Sequence, residues 1–373
     1  ALRQLSELIS VSTFPQGTDG QVSVFIGNGQ PLVIGNVASK FDTVASPTDA
    51  NVLDLTLSVS GTPQIVTNEL SGGKIGGLLD FRDTDLREAI NSMGRIGLVL
   101  ADTINDQHAV GMDLESNLGG LFFNDVNDET LARARVFANS DNLEPVDQVL
   151  RINITDPSTL TVDDYELKFD GPTDSDFVIV RASDNQVVLK SILPGIYPAN
   201  VEIDGFQVQF EAGTFKVGDR FTIQPTKNGA SDIGLNIDRV EEVALASPIR
   251  ADANIGNVGN AQINLGKMLD VVNPITGQTI PILDGAGESG QLSPPLTIRF
   301  VTDTVYEVLD ASDPSNLIPL TPPINNQLYN KGITNTLFTS DPGETIVTTT
   351  GADTLSAPPP VLSTGNPLIP LPN

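Results

Sequence analysis

The sequence predicts an α+β protein that is mainly β. An N-terminal mixed domain with one long heptad-patterned helix is followed by one or two sandwich-like or barrel-like β-domains. Many short runs of alternating apolar residues, separated by Asp, Asn, Gly and Pro, predict strands. One longer segment repeats its apolar residues at helical spacing. The length of 373 residues allows two or three domains.

The predicted N-terminal mixed domain covers residues 1–145. Leu2, Leu5 and Ile9 follow helical spacing, and the pattern breaks at residues 10–15. Residues 22–26 and 31–34 flank a Gly-Asn-Gly turn and predict a β-hairpin. Residues 53–59 alternate in the same way and predict a further strand.

A helix is expected over about residues 75–107. Its capping-box pattern predicts a start or restart at Asp85. Ten residues are predicted packing positions: Gly76, Gly77, Leu78, Leu79, Leu86, Ile90, Met93, Gly97, Leu100 and Ile104. The last six are spaced 4-3-4-3-4, which is a heptad seam. Gly97 would admit another backbone closely. The seam could pack on its own domain or against another molecule, and its length favours neither interpretation.

The rest of the chain reads as almost pure β, with a first β-domain over residues 146–250. Its predicted strands are 149–154, 165–169, 177–180, 187–189, 201–203, 206–210 and 221–223, and residues 237–246 are expected to be helical. Residues 251–356 are expected to form a second β-domain or to continue the first, and residues 357–373 a proline-rich tail. Because aromatic residues are scarce, we expect the core to rely on Leu, Ile and Val.

A weak internal repeat links the two β regions. Residues 167–169 and 177–180 resemble residues 298–300 and 306–309, and each pair is followed by Ala-Ser-Asp. The offset between the copies changes slightly, which indicates a short insertion or deletion. The repeat predicts two related β-hairpins, and two copies are too few for a solenoid.

Composition excludes several classes of function. The net charge of −27 opposes binding to nucleic acid and to anionic membrane surfaces. No apolar stretch is long enough to span a membrane. The absence of cysteine excludes disulfide frameworks, thiolate nucleophiles and Cys-ligated metals. We therefore expect no nucleic acid and no membrane among the partners.

No pattern in the chain predicts catalysis. His108 is the single histidine, so a zinc motif with two histidines is impossible, and we expect it to be solvated or capping. Close carboxylates that could seed a calcium site or a glycosidase pair are Asp80, Asp83, Asp85, Asp113, Asp163, Asp164, Asp174 and Asp176. In so acidic a chain such pairs usually mark turns or solvated faces. We expect no catalytic, cofactor-binding or metal-binding residue.

Five segments carry a resemblance to a known family. They are GNGQPLV at 27–33, SGGKIGGLLDFRD at 71–83, GRIGLVLADTINDQH at 94–108, NLGGLFF at 117–123 and GDRFTIQPT at 218–226. Together they resemble the bacterial flagellar hook-associated protein 1 family, in that family's order, over about residues 1–250. From about residue 251 the resemblance is thin.

The resemblance implies a structural subunit of the hook–filament junction that is needed for filament attachment and motility. Its expected partners are further copies of itself, the hook protein and hook-associated protein 3. It would be exported through the flagellar channel without a cleaved signal peptide and would lie outside the cell. Since the chain opens mid-helix without Met and ends in prolines, we expect a core that lacks both terminal helical arms. The export chaperone would then bind only through the missing C-terminal arm.

Two other functions remain as alternatives. A secreted surface adhesin of repeated β-domains would need neither the glycine-rich segment at 71–77 nor the heptad helix. A carboxylate-based hydrolase acting on sugars would be expected to stack them on aromatic residues, yet the chain has no Trp.

Overall fold

The computed structural model describes residues 1–16, 21–49, 51–59, 61–115, 117–247, 250–257, 259–264, 267–268, 295–339, 345–350 and 361–365. More of these residues lie in strands than in helices, which confirms the mainly-β α+β prediction. The chain divides into two compact units. Unit 1 is Ala1–Leu100 with Asp125–Ile233, and unit 2 is Ala101–Asn124 with Gly234–Asn373.

Unit 1 begins with a short helix and seven strands. They are α1 (Leu2–Leu8), β1 (Val11–Gln16), β2 (Gln21–Ile26), β3 (Gln30–Ile34), β4 (Val37–Ala38), β5 (Lys40–Ala45), β6 (Leu53–Val59) and β7 (Thr62–Ile65). The strands form two antiparallel sheets, in the orders β1-β2-β3-β4 and β5-β6-β7. Their buried apolar residues are Ile9, Ile26, Leu57, Val66 and Leu70. The predicted hairpin and the strand at 53–59 are confirmed.

A continuous helical segment follows, in three parts. These are α2 (Gly73–Phe81), a π-helical turn (Arg82–Leu86) and α3 (Arg87–Ala109). A 3-10 turn at Thr67–Glu69 precedes the segment. The segment begins two residues before the expected residue 75, and Asp85, where a start or restart was predicted, lies inside the π turn just before α3. At the start of α2, Gly72 and Gly73 take positive φ angles of 71° and 59° that favour glycine.

Residues 125–233 of unit 1 form a β-domain. Its elements are α4 (Glu129–Arg133), β8 (Val136–Ala138), β9 (Val149–Ile154), β10 (Tyr165–Lys168), β11 (Asp176–Arg181), β12 (Val187–Ile192), β13 (Ala199–Ile203), β14 (Phe206–Ala212) and β15 (Arg220–Ile223). They pair as two antiparallel sheets, in the orders β12-β11-β10-β15-β8 and β13-β14-β9. The alternating burial of Val149–Ile154 shows how a strand with period two turns one side to the core.

The core of the β-domain is aromatic as well as aliphatic, which corrects the expectation of a Leu, Ile and Val core. Six buried phenylalanines gather in it: Phe169, Phe177, Phe206, Phe210, Phe215 and Phe221. The rings of Phe169 and Phe215 are stacked with centroids 4.9 Å apart. Composition gives the number of aromatic residues in the whole chain, but it does not show that they are concentrated in one domain.

The domain boundary predicted at residue 145 lies too late. β8 pairs with β15, so residues 136–138 belong to the β-domain sheet. The buried Arg135 donates hydrogen bonds to the carbonyls of Val126 and Ile152, which ties the polar stretch around it to β9. These polar groups are paired inside the domain, so the boundary lies before them.

Unit 2 contains nine strands among its described residues. They are β16 (Arg250–Ala253), β17 (Gln262–Ile263), β18 (Lys267–Met268), β19 (Leu296–Thr302), β20 (Val305–Asp310), β21 (Ile318–Leu328), β22 (Asn335–Thr339), β23 (Thr345–Thr350) and β24 (Val361–Gly365). One sheet has the order β16-β24-β19-β20-β21, and β23 pairs with β17, β18 and β22 in another. Buried residues around Ile298, Phe300 and Tyr306 form its core.

Several expectations for unit 2 can be compared with this arrangement. The repeat does form two antiparallel hairpins, with Leu167 opposite Ile179 and Ile298 opposite Val308. The helix expected over 237–246 is wrong, because only Val240–Glu242 makes a 3-10 turn. β24 lies inside the stretch predicted as a tail and pairs with β16 and β19. Residues 357–360 and 366–373 of that stretch lie outside the described residues.

Candidate functional site

The long helical segment exposes a row of large apolar side chains. We call this row the apolar stripe; its members are Leu78, Phe81, Leu86, Ile90, Met93, Ile96 and Leu100. Each is between 40% and 68% exposed. At a rise of about 1.5 Å per residue the row is about 33 Å long. A contiguous exposed row of this kind is typical of a protein interaction surface.

The π turn keeps the stripe on one face. In an α-helix of 3.6 residues per turn, Leu86 would point away from the face that carries Phe81. The turn at Arg82–Leu86 has i→i+5 geometry, and its wider spacing brings Leu86 back into line. π turns of this kind often lie at functional positions.

The ten predicted packing positions divide into three groups. Leu78, Leu86, Ile90, Met93 and Leu100 lie in the stripe, and Gly77 is exposed beside them. Leu79 is half-buried against the core below α1, and Ile104 is half-buried in unit 2. Gly76 and Gly97 are buried. The four exposed members of the seam are therefore only partly covered by this chain.

Sequence reasoning missed Phe81 and Ile96. Phe81 precedes the π turn, so a heptad count that starts at Leu86 cannot reach it. Ile96 occupies the position next to Gly97, which the heptad pattern selected instead. The available signal was helical spacing, because Ile96 lies three residues after Met93 and four before Leu100.

The opposite face of α3 is buried and contains few large apolar residues. Within unit 1 it presents Asn91, Gly94, Gly97 and Leu98, each nearly or fully buried. A Cβ atom on Gly97 would lie 2.6 Å from the carbonyl oxygen of Gly229. The close backbone approach at Gly97 is thus with a loop of the same chain.

His108 is buried at 4% exposure, so the expectation of a solvated histidine is wrong. Its Nδ1 atom lies 2.8 Å from the carbonyl oxygen of Gly120. Its Nε2 atom accepts a hydrogen bond from the amide of Ala244. The imidazole therefore links three segments of unit 2 and has no free ring nitrogen for chemistry.

Two of the carboxylates considered for a calcium site, Asp83 and Asp113, make local hydrogen bonds. Asp113 Oδ1 accepts hydrogen bonds from the amides of Glu115 and Asn117, each at 2.8 Å. Asp83 makes two hydrogen bonds with Arg82. Across the described part of the chain, no cluster of three or more potential metal-ligating side chains occurs. No helix in that part is long and apolar enough to span a bilayer.

The candidate site is the exposed apolar stripe, and two family models match the chain that carries it. A family model described as the FlgK helical domain of the flagellar hook-associated protein matches residues 1–123. A second, described as the D2-like domain of flagellar hook-associated protein 1, matches residues 137–225. The two models together match more than half of the chain.

Relatives and a solved structure carry the same name. Flagellar hook-associated protein 1 of Salmonella typhimurium is 28% identical over 272 residues, which are 72% of this chain and 46% of that protein. The Escherichia coli protein of the same name is 26% identical over 264 residues, 70% of this chain and 45% of that protein. The chain thus spans less than half the length of these relatives.

The structure of the flagellar hook junction protein FlgK from Burkholderia pseudomallei superposes with a TM-score of 0.72 at 25% identity. The match covers 97% of this chain and 64% of that one. Both family models, the named relatives and this structure point to one family. The chain belongs to the flagellar hook-associated protein 1 family.

Proposed function

We propose that this chain is part of a structural subunit of the hook–filament junction, required for filament attachment and motility. The single observation that carries the proposal is the apolar stripe, an exposed apolar surface on a chain whose family is flagellar. The family matches favour this role over a surface adhesin. The proposed role is mechanical and needs no catalytic step.

The stripe would be buried against another helix-bearing part of the flagellar axis. Burying a Leu, Ile, Phe or Met side chain completely is worth roughly 1.5–3 kcal/mol, and these side chains are already about half covered. Each would then contribute about 1 kcal/mol to the stability of the hook–filament junction. Many such contacts, repeated between subunits, would support a load without any single strong bond.

We further infer the partners and the location. Other copies of this subunit, the hook protein and hook-associated protein 3 are the proposed neighbours. The subunit would reach the junction by export through the flagellar channel and would act outside the cell. The acidic surface keeps such an exported chain soluble.

A charge placed on the stripe tests the proposal. Met93→Asp with Leu100→Asp, introduced into the gene of a motile bacterium that carries it, should abolish filament attachment. The reason is that unpaired carboxylates would have to be buried at the hook–filament junction. Electron microscopy of cells should show hooks without filaments, and filament protein should appear in the medium.

Ser92→Asp with Thr103→Asp is the matched control, because it adds the same two carboxylates to α3 at a half-buried and an exposed position that are not members of the stripe. Cells with this variant should swim normally. Purified proteins of both kinds should stay folded and lose no more than about 2 kcal/mol of stability, since neither pair of changes falls in the core. Attached filaments of normal length on the Met93 and Leu100 double variant would contradict the proposal.

A further inference from the structure

Two of the family-like motifs, at 94–108 and 218–226, contact each other although they are far apart in sequence. A Cβ atom on Gly94 would lie 1.7 Å from the carbonyl oxygen of Thr226, so only glycine fits there. In the same place a Cβ on Gly229 would lie 2.4 Å from the carbonyl oxygen of Gly94. The backbone of α3 therefore rests directly on the loop that follows β15.

A buried chain of polar side chains runs beside this contact. Asn91 Nδ2 donates to Asp164 Oδ1 at 3.0 Å and to the carbonyl of Val162 at 2.9 Å. Gln224 Nε2 donates to Asp164 Oδ2 at 2.9 Å. Asn91, Asp164 and Gln224 are only 2%, 5% and 7% exposed, so their side chains are shielded from water.

The chain continues from Gln224 to a charged pair. Lys227 Nζ donates to Gln224 Oε1 at 2.9 Å and also to the buried carboxylate of Asp49. The same ammonium group lies 5.5 Å from the centre of the Phe137 ring. The network thus joins three parts of unit 1: α3, the β-domain and the loop after β5.

Such a network specifies one arrangement. Apolar side chains can slide past one another at small cost, whereas a buried donor or acceptor that loses its partner costs the full desolvation of that group. Rotation of the β-domain about α3 would separate Asn91 from Asp164 and lift the loop from Gly94. Each of these losses opposes rotation in either direction.

We infer that Asn91, Gly94, Asp164, Gln224 and Lys227 form a joint that fixes the β-domain in one orientation on α3. The joint makes the β-domain and the stripe-bearing helix a single rigid body. In the flagellum, force on the β-domain would then reach the stripe without bending, and this last point rests on the proposed function.

The absence of cysteine makes the test direct. Glu88→Cys on α3 and Ser183→Cys in the β-domain, both exposed, provide two sites for spin labels in the otherwise unchanged chain. Pulsed electron paramagnetic resonance then gives the distribution of distances between them. The unaltered joint should give one narrow peak.

Asp164→Asn should replace that peak by a broad distribution. Whichever way the new amide turns, its NH2 group faces the N–H donor of Asn91 or of Gln224. Asn91→Ala and Gly94→Ala should have the same effect. Gly77→Ala is the matched control, because a Cβ there meets no atom within 4 Å, and it should keep the narrow peak.

Circular dichroism and the methyl NMR spectrum of the β-domain core establish that each variant is folded. Asn91→Ala is the mildest change and decides the question if Gly94→Ala does not fold. A narrow, wild-type distribution in both Asn91→Ala and Asp164→Asn would overturn the joint. Loss of filament attachment is a separate measurement, so failure of the proposed function would leave the distance result unchanged.

Discussion

The backbone amide of Ala244 donates a hydrogen bond to Nε2 of His108 over 2.9 Å. Because Nε2 accepts here, the ring proton must lie on Nδ1, where it can be donated to the carbonyl of Gly120. The ring of Phe122 packs edge-on against the imidazole at 5.4 Å. One neutral histidine thus satisfies two buried backbone groups from two different segments of unit 2.

Replacing His108 should destabilise the protein. His108→Ala leaves the amide of Ala244 and the carbonyl of Gly120 unpaired, at an expected cost of roughly 2–4 kcal/mol. His108→Asn can restore the bond to Gly120 through its NH2 group and should lose less. Urea unfolding measures both. Gln107→Ala, on the exposed neighbour, should change stability by less than about 0.5 kcal/mol; equal losses for His108→Ala and Gln107→Ala would contradict this role.

Gly119 and Gly120 should differ sharply in their tolerance of a methyl group. A Cβ on Gly119 would lie 1.9 Å from the carbonyl oxygen of His108, whereas a Cβ on Gly120 would meet nothing within 4 Å. Gly119→Ala should therefore lose about 1–3 kcal/mol through overpacking. Gly120→Ala should keep wild-type stability in the same denaturant titration. If the two variants unfold at the same denaturant concentration, the close approach at Gly119 is not present in solution.

Leu98 and Leu100 are two leucines on different faces of α3. Leu98 is 2% exposed and Leu100 is 47% exposed. Leu98 contributes to the core of the β-domain. Leu98→Ala should therefore cost about 2–5 kcal/mol in the isolated chain, by loss of buried area and formation of a cavity. Leu100→Ala should cost less than about 1 kcal/mol there, since its side chain already contacts water. Chemical unfolding of both variants tests which face is buried. Similar losses of stability in the two variants would contradict this assignment.

The ion pair between buried Asp49 and half-buried Lys227 should make stability sensitive to acid. Burial raises the pKa of Asp49, but hydrogen bonds from Lys227 and the amide of Asn51, with the charge of Lys227, outweigh burial and lower the pKa below its ordinary 3.8. A carboxyl whose pKa is lowered on folding adds stability above its unfolded pKa. That contribution is lost as pH falls through the folded pKa.

Urea unfolding between about pH 3 and pH 6 measures this dependence. Asp49→Asn should be less stable at the upper end and should lose less stability on acidification than wild type does. Asp42→Asn is the control, because the Asp42–Lys40 pair is exposed and screened by solvent. An unchanged acid slope in Asp49→Asn would show that the pair does not couple folding to pH.

The strands were predictable because each one carries its own signal. In the β-domain, Leu150, Ile152 and Ile154 alternate with more exposed neighbours, and the same alternation can be read in the sequence. Local pairing then follows from short turns. The helical segment from Gly73 to Ala109 was predictable for a similar reason, although the π turn at Arg82–Leu86 within it was not.

The face of the helix that is buried was not predictable. Counting Leu, Ile and Met selected the exposed side of α3, whereas the buried side carries polar and small residues such as Asn91, Gly94 and Asn105. Asn105 Oδ1 accepts hydrogen bonds from the amides of Phe122 and Phe123 at 2.9 and 2.8 Å. A polar residue can be buried only when its partners arrive from elsewhere in the chain, and no local pattern records that arrival.

The sequence by itself therefore determined the class of fold, the positions of most strands, the long helix and, through five motifs, the family. Only the tertiary structure decided the direction in which the helix turns its apolar stripe, the division into units and the burial of His108. The physical reason is that periodicity and turn chemistry act between near neighbours, whereas burial of Asn91, Gly94 and His108 depends on groups contributed by distant segments.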